Sequence, residues 1–276
     1  MRRSATLLYA APFIVVTSAI ASAAWSAEPA ASASTLQEVI VTAQKREERI
    51  NDVGMSITAI SGDDLAQRGL QDPTLLSKAV PGFEYNTNAF GHPIYTIRGV
   101  GFQDSTLAAS PTVTVYTDEV PIPFSAETIG VGLDVARLEA LKGPQGTLYG
   151  ENATGGALNF IAARPTDRLA AGADASFGRF ATLETSGFVS GPISDTLKAR
   201  FAARVVEGGN WQKSYTSDAT LGQKNLLQGR LLLDWTPSQR FRISLNLNAW
   251  QDRSDSPAPQ LIGVVGLGAN AALLPA

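Results

Sequence analysis

Cysteine is absent from all 276 residues. That excludes disulfide staples, thiolate catalysis and cysteine-held metal. Histidine occurs once, at His92, so no multi-histidine metal site can be assembled and no motif marks a triad base. Neither sign of charge predominates. Against 25 acidic side chains stand 22 basic ones, a net charge of −3, which gives no sign of a nucleic-acid partner. Paired carboxylates are few: Asp63-Asp64 reads as charge at a helix N-terminus, and Asp118-Glu119 as a solvated turn. No pair sits on adjacent strand ends with apolar shielding, which disfavours glycoside-type hydrolysis. No motif calls for a cofactor or a metal. Beyond the first 27 residues, no apolar run is long enough for a membrane-crossing helix.

Those first residues carry Arg2 and Arg3, an apolar run from Ala5 to Ile20, then small residues. This is the layout of a secretory signal peptide over residues 1–27, cut after Ala24 or Ala27. An exported chain without another apolar helix is either soluble or a β-barrel. Residues 28–35 are rich in Ala and Ser and have little to bury. Strand formers follow at Val39-Ile40-Val41-Thr42, isolated before the charged run from Gln44 to Arg49. Such a strand either opens the next domain or is kept for pairing with another chain; both readings stay open.

Residues 51–165 read as a small α/β unit. Short strands are expected at 55–60, 83–85, 93–97, 112–117 and 137–141. A helix over 64–68 is capped by Ser61 or Asp63 and ended by Gly69. A second starts at Asp72-Pro73 and runs to Ala79. The densest signal is RLEALKGPQGTLYGENATGGALNFIAARP, from Arg137 to Pro165, with glycines at 143, 146, 150, 155 and 156. Such density marks a backbone that turns repeatedly or approaches another surface closely. A phosphate loop would need Lys after the last glycine of its motif, and a dinucleotide loop needs a different glycine spacing.

The run LKGPQGTLYGENATGGALNF resembles the signature near the end of the plug domain of TonB-dependent outer-membrane receptors. SITAISGDDL, LLSKAVPG, YTIRGVG and VTVYTDEVP extend the resemblance over residues 36–165. It implies that Glu38, Val39, Ile40, Val41, Thr42 and Ala43 form a TonB box, within a flexible segment at 28–50. It also implies that Arg98, of the IRG motif, and Lys142, before GPQG, latch the plug to carboxylates on the barrel wall. The Lys142 position is commonly Arg, and Lys lacks the planar fork for a bidentate contact. Loops near the plug apex would face substrate, which makes Phe90, His92, Phe102 and Gln103 candidate contacts.

From Leu169 onward the pattern changes to period 2. Phe241, Ile243, Leu245, Leu247 and Ala249 alternate with Arg242, Ser244, Asn246 and Asn248. Leu197, Ala199, Phe201, Ala203 and Val205 alternate with Lys198, Arg200 and Arg204; Leu227, Gly229, Leu231, Leu233 and Trp235 alternate with Gln228, Arg230 and Asp234. Residues 169–177 and 181–189 repeat the pattern more weakly. A soluble β-sandwich also alternates. Short connectors at 191–196 and 236–239 against long ones at 208–224 and after Gln251 favour an outer-membrane barrel. About five strands fit. A 22-stranded plugged cylinder needs at least ~220 residues of strand, about twice what residues 169–276 hold.

The expected fold is therefore an α+β plug domain (51–165) followed by the first antiparallel strands of an incomplete transmembrane β-barrel (166–276). The chain is expected to be the N-terminal part of a longer receptor. By the resemblance, such a receptor takes up an iron chelate (a ferric siderophore) or a similar scarce nutrient. Its partners are a TonB-type energy-coupling protein and outer-membrane lipid. The alternatives are a secreted plug-like binding module and a periplasmic β-sandwich enzyme.

Overall fold

The computed structural model describes residues 39–70, 72–88, 91–102, 110–150, 152–214, 218–256 and 258, with the backbone of Val264–Val265 and Leu273–Leu274. The expected signal peptide, the lead-in at 28–35, Glu38, Phe90 and Gln103 lie outside the described residues. Among the described residues no helix is long and apolar enough to cross a membrane.

The described residues open with a two-pair hairpin, β1 (Ile40–Val41) against β2 (Glu48–Arg49). Next come β3 (Ile57–Ser61) and α1 (Gly62–Gln67). The Ser61 hydroxyl accepts from the Asp64 amide at 3.1 Å and donates to the Asp64 carboxylate at 2.8 Å, a reciprocal cap. Asp63 and Asp64 lie in the first turn, at the positive end of the helix. The expected second helix is a 3-10 helix, Pro73–Lys78, with Asp72 accepting from the Thr74 amide. A hairpin of β4 (Phe83–Thr87) and β5 (Pro93–Ile97) then packs Phe83 and Tyr85 on Tyr95.

β6 (Val113–Thr117), β7 (Val120–Ile122), β8 (Val135–Lys142) and β9 (Gly156–Ala162) join β3 in a five-stranded sheet of order β3-β8-β9-β6-β7. Only the β6–β9 pair is parallel. Period-2 alternation gives this sheet two buried faces. Val113, Val115, Leu138, Ala140, Leu158 and Phe160 join α1, the 3-10 helix and β4–β5 in the larger core. Tyr116, Leu141 and Ala157 point the other way and join Val41, Ala43, Val53, Tyr149 and Ala153 in a smaller one. Strands covered on both sides read as continuous apolar runs, as ALNFIAA does.

The glycine-rich signature spans the β8–β9 connection, around the one-turn α2 (Gly146–Tyr149). Its glycines are not equivalent. Gly156 has φ +147°, and a Cβ there would lie 2.3 Å from the Leu141 carbonyl oxygen and 2.9 Å from Ile97 Cδ1. Gly146 has open space around its Cβ position. Gly156→Ala should therefore cost about 1–3 kcal/mol. Gly146→Ala should be neutral or stabilising by up to ~1 kcal/mol, through the unfolded chain. Denaturant midpoints of the two variants check the contrast; equal midpoints would contradict it.

Five longer strands follow: β10 (Ala170–Gly178), β11 (Thr182–Pro192) and β12 (Leu197–Gly208), then, after the two-pair ribbon β13 (Gln212–Lys213) with β14 (Thr220–Leu221), β15 (Lys224–Ser238) and β16 (Phe241–Asp252). They form one antiparallel meander, β10-β11-β12-β15-β16. Each matches an expected strand, and their lengths of 9 to 15 residues suffice to cross a membrane. Short turns lie at 193–196 and 239–240, and the long connector is 209–223. Among the described residues β10 and β16 each keep one unpaired edge, so the sheet is an open wall.

Candidate functional site

The wall is inside-out relative to a soluble sheet. Its plug-side face buries charged and polar side chains, while many of its large apolar ones are exposed. Register stacks Phe201, Leu231 and Leu247 on the outer face, where Phe201 and Leu247 are 50% and 51% exposed. On the inner face, Arg230 and Gln228 are each 2% exposed, and Arg200, Arg204 and Asp234 are buried as well. Arg200, Arg230 and Gln228 are covered by the plug, while Arg204 and Asp234 pair with Glu184 and Arg242 of the wall itself.

The contact centres on the plug segment from Ile129 to Asp134. Arg200 donates to both Asp134 oxygens at 2.6 Å while its guanidinium stacks on Phe188 at 3.8 Å. A planar fork is suited to both contacts at once. Arg230 donates to the carbonyls of Leu133, Asp134 (3.2 Å) and Val131 (3.5 Å), and Gln228 to that of Ile129 (3.0 Å). Gly130 has no side chain because the Trp250 ring fills that space: a Cβ would meet its Cδ1 at 2.6 Å. A second contact joins Asn246 to Asp118 at 2.6 Å. Asp118 also accepts from the Ala162 amide, so the reading of Asp118-Glu119 as a solvated turn is corrected. Asp118 and Asp134 both hold left-handed φ, 48° and 49°, which places each carboxylate at a strand end facing the wall. Asp and Asn tolerate that conformation better than most residues.

Residues 39–50 dock on the sheet's smaller core. Val41 and Ala43 are fully buried, while Val39 and Ile40 are exposed. Between the two anchors, the Thr42 amide donates to Glu139 at 2.8 Å. Of the two readings of this strand, the described one pairs it within its own chain, in a hairpin of two residue pairs.

Arg98 and Lys142 come together. Arg98, at φ 52°, donates to Ser56 at 2.8 Å. Burial, then the Arg98 charge, lowers the Lys142 ammonium below its ordinary range. Neither touches a carboxylate of the five described wall strands in the ion pairs present. The residues that do join plug to wall, Asp118 and Asp134 with Arg200, Gln228, Arg230 and Asn246, were given no such role in the sequence, although the shared strand face of three wall arginines was there to be noticed.

A cavity of about 400 Å³ opens between plug and wall on the long-loop side. Asp72, Tyr85, Gly91 and Pro93 line it from the plug, and Trp211 and Gln223 from the wall's long connector. Burial, then Asp72, pushes the Tyr85 phenol up to about 12, and burial raises Tyr95 further. Both therefore remain neutral hydrogen-bonding groups at neutral pH. His92 belongs to the loop beside Gly91, its amide donating to Asn88 at 2.9 Å. Phe102 is half-exposed in a separate loop.

Residues 49–157 match the family model of the TonB-dependent receptor plug domain. That stretch belongs to the TonB-dependent receptor plug domains. The chain is 29% identical over 218 residues to the pesticin receptor of Yersinia pestis, covering 76% of this chain and 32% of that protein. It is 26% identical to an iron-regulated outer membrane virulence protein of Vibrio cholerae, covering 80% and 35%. The crystal structure of the ferric yersiniabactin uptake receptor FyuA from Yersinia pestis superposes with a TM-score of 0.56 at 27% identity, over 67% of this chain and 29% of that one. The pyoverdine receptor FpvA of Pseudomonas aeruginosa shares the fold, with a TM-score of 0.62 at 16% identity over 77% of this chain and 30% of that one. The chain thus spans about a third of the length of these curated relatives. The receptor is placed in the bacterial outer membrane.

Proposed function

We propose that this receptor imports a ferric chelate or a comparably scarce nutrient, and that the chemistry is transport with no bond made or broken. The observation that carries the reading is the cavity between plug and wall at the long-loop end. In outer-membrane barrels that end faces outward, so a solute arriving from outside meets this cavity first. The loop with Gly91 and His92, and further along Phe102, belongs to the outward-facing set. Below it the plug closes the path. Names borne by the relatives, an iron-regulated protein and a ferric yersiniabactin receptor, point to the same class of cargo.

Residues 38–43 are the segment on which a TonB-type partner pulls. A ladder of backbone hydrogen bonds pulled along its length shares load among several bonds. Arg98 and Lys142 are the plug's latch: two adjacent cations, one of them partly desolvated, favour an anionic counterpart on the wall. Deleting residues 38–43 in the full receptor should leave binding of a radiolabelled ferric chelate unchanged and bring its energy-dependent uptake to background. Uptake that survives the deletion would end the coupling role. Failure of a panel of ferric chelates to bind or to sustain iron-limited growth would end the cargo assignment.

A further inference from the structure

We propose that Glu139 is the positioning residue that holds the coupling segment on the plug, with Thr42 as its counterpart. The inference rests on the reading of residues 38–43 as that segment. Glu139 is 0% exposed on β8, on the sheet face shared with Tyr116, Leu141 and Ala157. A buried carboxylate is costly unless its oxygens are hydrogen-bonded. Here Oε1 accepts from Arg137 Nε at 2.7 Å and from the Thr42 amide at 2.8 Å, and the Thr42 hydroxyl reaches both oxygens at 3.2 Å. The Arg137 guanidinium also reaches the Thr42 hydroxyl, at 3.4 Å. Half of this arrangement comes from the sheet and half from a segment 97 residues earlier in the chain.

The hairpin cannot hold the segment by itself. It has two residue pairs, Ile40 with Arg49 and Val41 with Glu48, and a two-stranded ribbon that short is not stable alone in water. Burial of Val41 and Ala43 adds only small side chains. The polar contact between them is directional, so it also fixes register: a slip by one residue would turn Val41 or Ala43 toward the carboxylate. It is reversible as well. When the segment leaves, the pocket that buried Glu139 opens and water replaces the Thr42 donors, so no unsolvated charge is left behind to oppose release. An apolar residue at 139 would offer adhesion without that substitution.

The chain's lack of cysteine permits a direct test. Ala43→Cys places a lone thiol in the docked segment, and a maleimide reports how often it is uncovered. In the full receptor in detergent, Glu139→Gln and Thr42→Val, each added to Ala43→Cys, should speed labelling roughly tenfold or more, the effect of losing a charge-assisted bond. Thr42→Ser keeps the hydroxyl and should label at the parent rate. Hydrogen exchange over residues 156–162 reports the plug core and should stay protected in every variant, which a general loss of structure would not allow. Labelling within about twofold of the parent in both variants, or acceleration accompanied in both by lost protection over 156–162, would overturn the assignment. No step of this assay involves transport. Labelling that responds while uptake ignores residues 38–43 would leave the latch standing and remove only its coupling purpose.

Discussion

Asp134→Ala will destabilise the plug in its wall by about 3–5 kcal/mol, because the loss strands the Arg200 charge where water cannot reach it. The Arg200 and Asp134 side chains are 8% and 11% exposed, so solvent screening offers little relief. Alanine at φ 49° adds the left-handed penalty, which asparagine largely escapes. Asp134→Asn should therefore cost less than Asp134→Ala. The pair's net worth is a separate quantity: replacing both charges with apolar residues is often close to neutral. Adding Arg200→Leu to Asp134→Ala should accordingly recover part of the loss. Denaturant titration in micelles at pH 7, with the double-mutant cycle completed, measures the coupling. A single-variant cost below ~0.5 kcal/mol would be an ordinary surface effect and would remove Asp134 from the interface.

This interface marks where the sequence stops being readable. Period-2 alternation identifies all five wall strands, since side-chain direction is a local consequence of extended backbone. Helix starts are local as well: of Ser61 and Asp63 it is Ser61 that caps the first, and the second starts after Asp72, though as a 3-10 helix. The Asp134–Arg200 contact joins positions 66 apart, and Asp118–Asn246 joins positions 128 apart. Nothing in the neighbourhood of Asp118 distinguishes a solvated turn from a wall contact until the fold brings β16 beside it. Polar alternation told which wall face Arg200 and Arg230 occupy, but not that backbone carbonyls of Ile129–Asp134 would satisfy them. The strand-forming run at 39–42 is ambiguous for a related reason. A lone Val-Ile-Val-Thr run serves equally as a domain's first strand or as a segment lent to a partner. Glu139, read merely as part of a strand, accepts from the Thr42 amide of that run.

The same alternation supports the second large effect. Phe201→Arg should abolish stable membrane assembly of the wall, while Phe201→Leu should preserve it. Phe201 is on β12, with paired neighbours on both sides, so the change does not touch an edge. On a soluble sheet, arginine at a half-exposed position would shift stability within about ±0.5 kcal/mol and would raise solubility. On a lipid-facing wall it costs about 2–4 kcal/mol near the bilayer midplane, since the guanidinium is taken from water into hydrocarbon. The two settings therefore differ in sign as well as size. Refolding into phospholipid vesicles of stated composition, scored by protease protection of the wall, reads the difference directly. Arginine that leaves vesicle assembly intact and increases the yield of soluble monomer would mean that the exposed Phe201–Leu231–Leu247 ladder faces water, and the outward apolar surface would need another occupant.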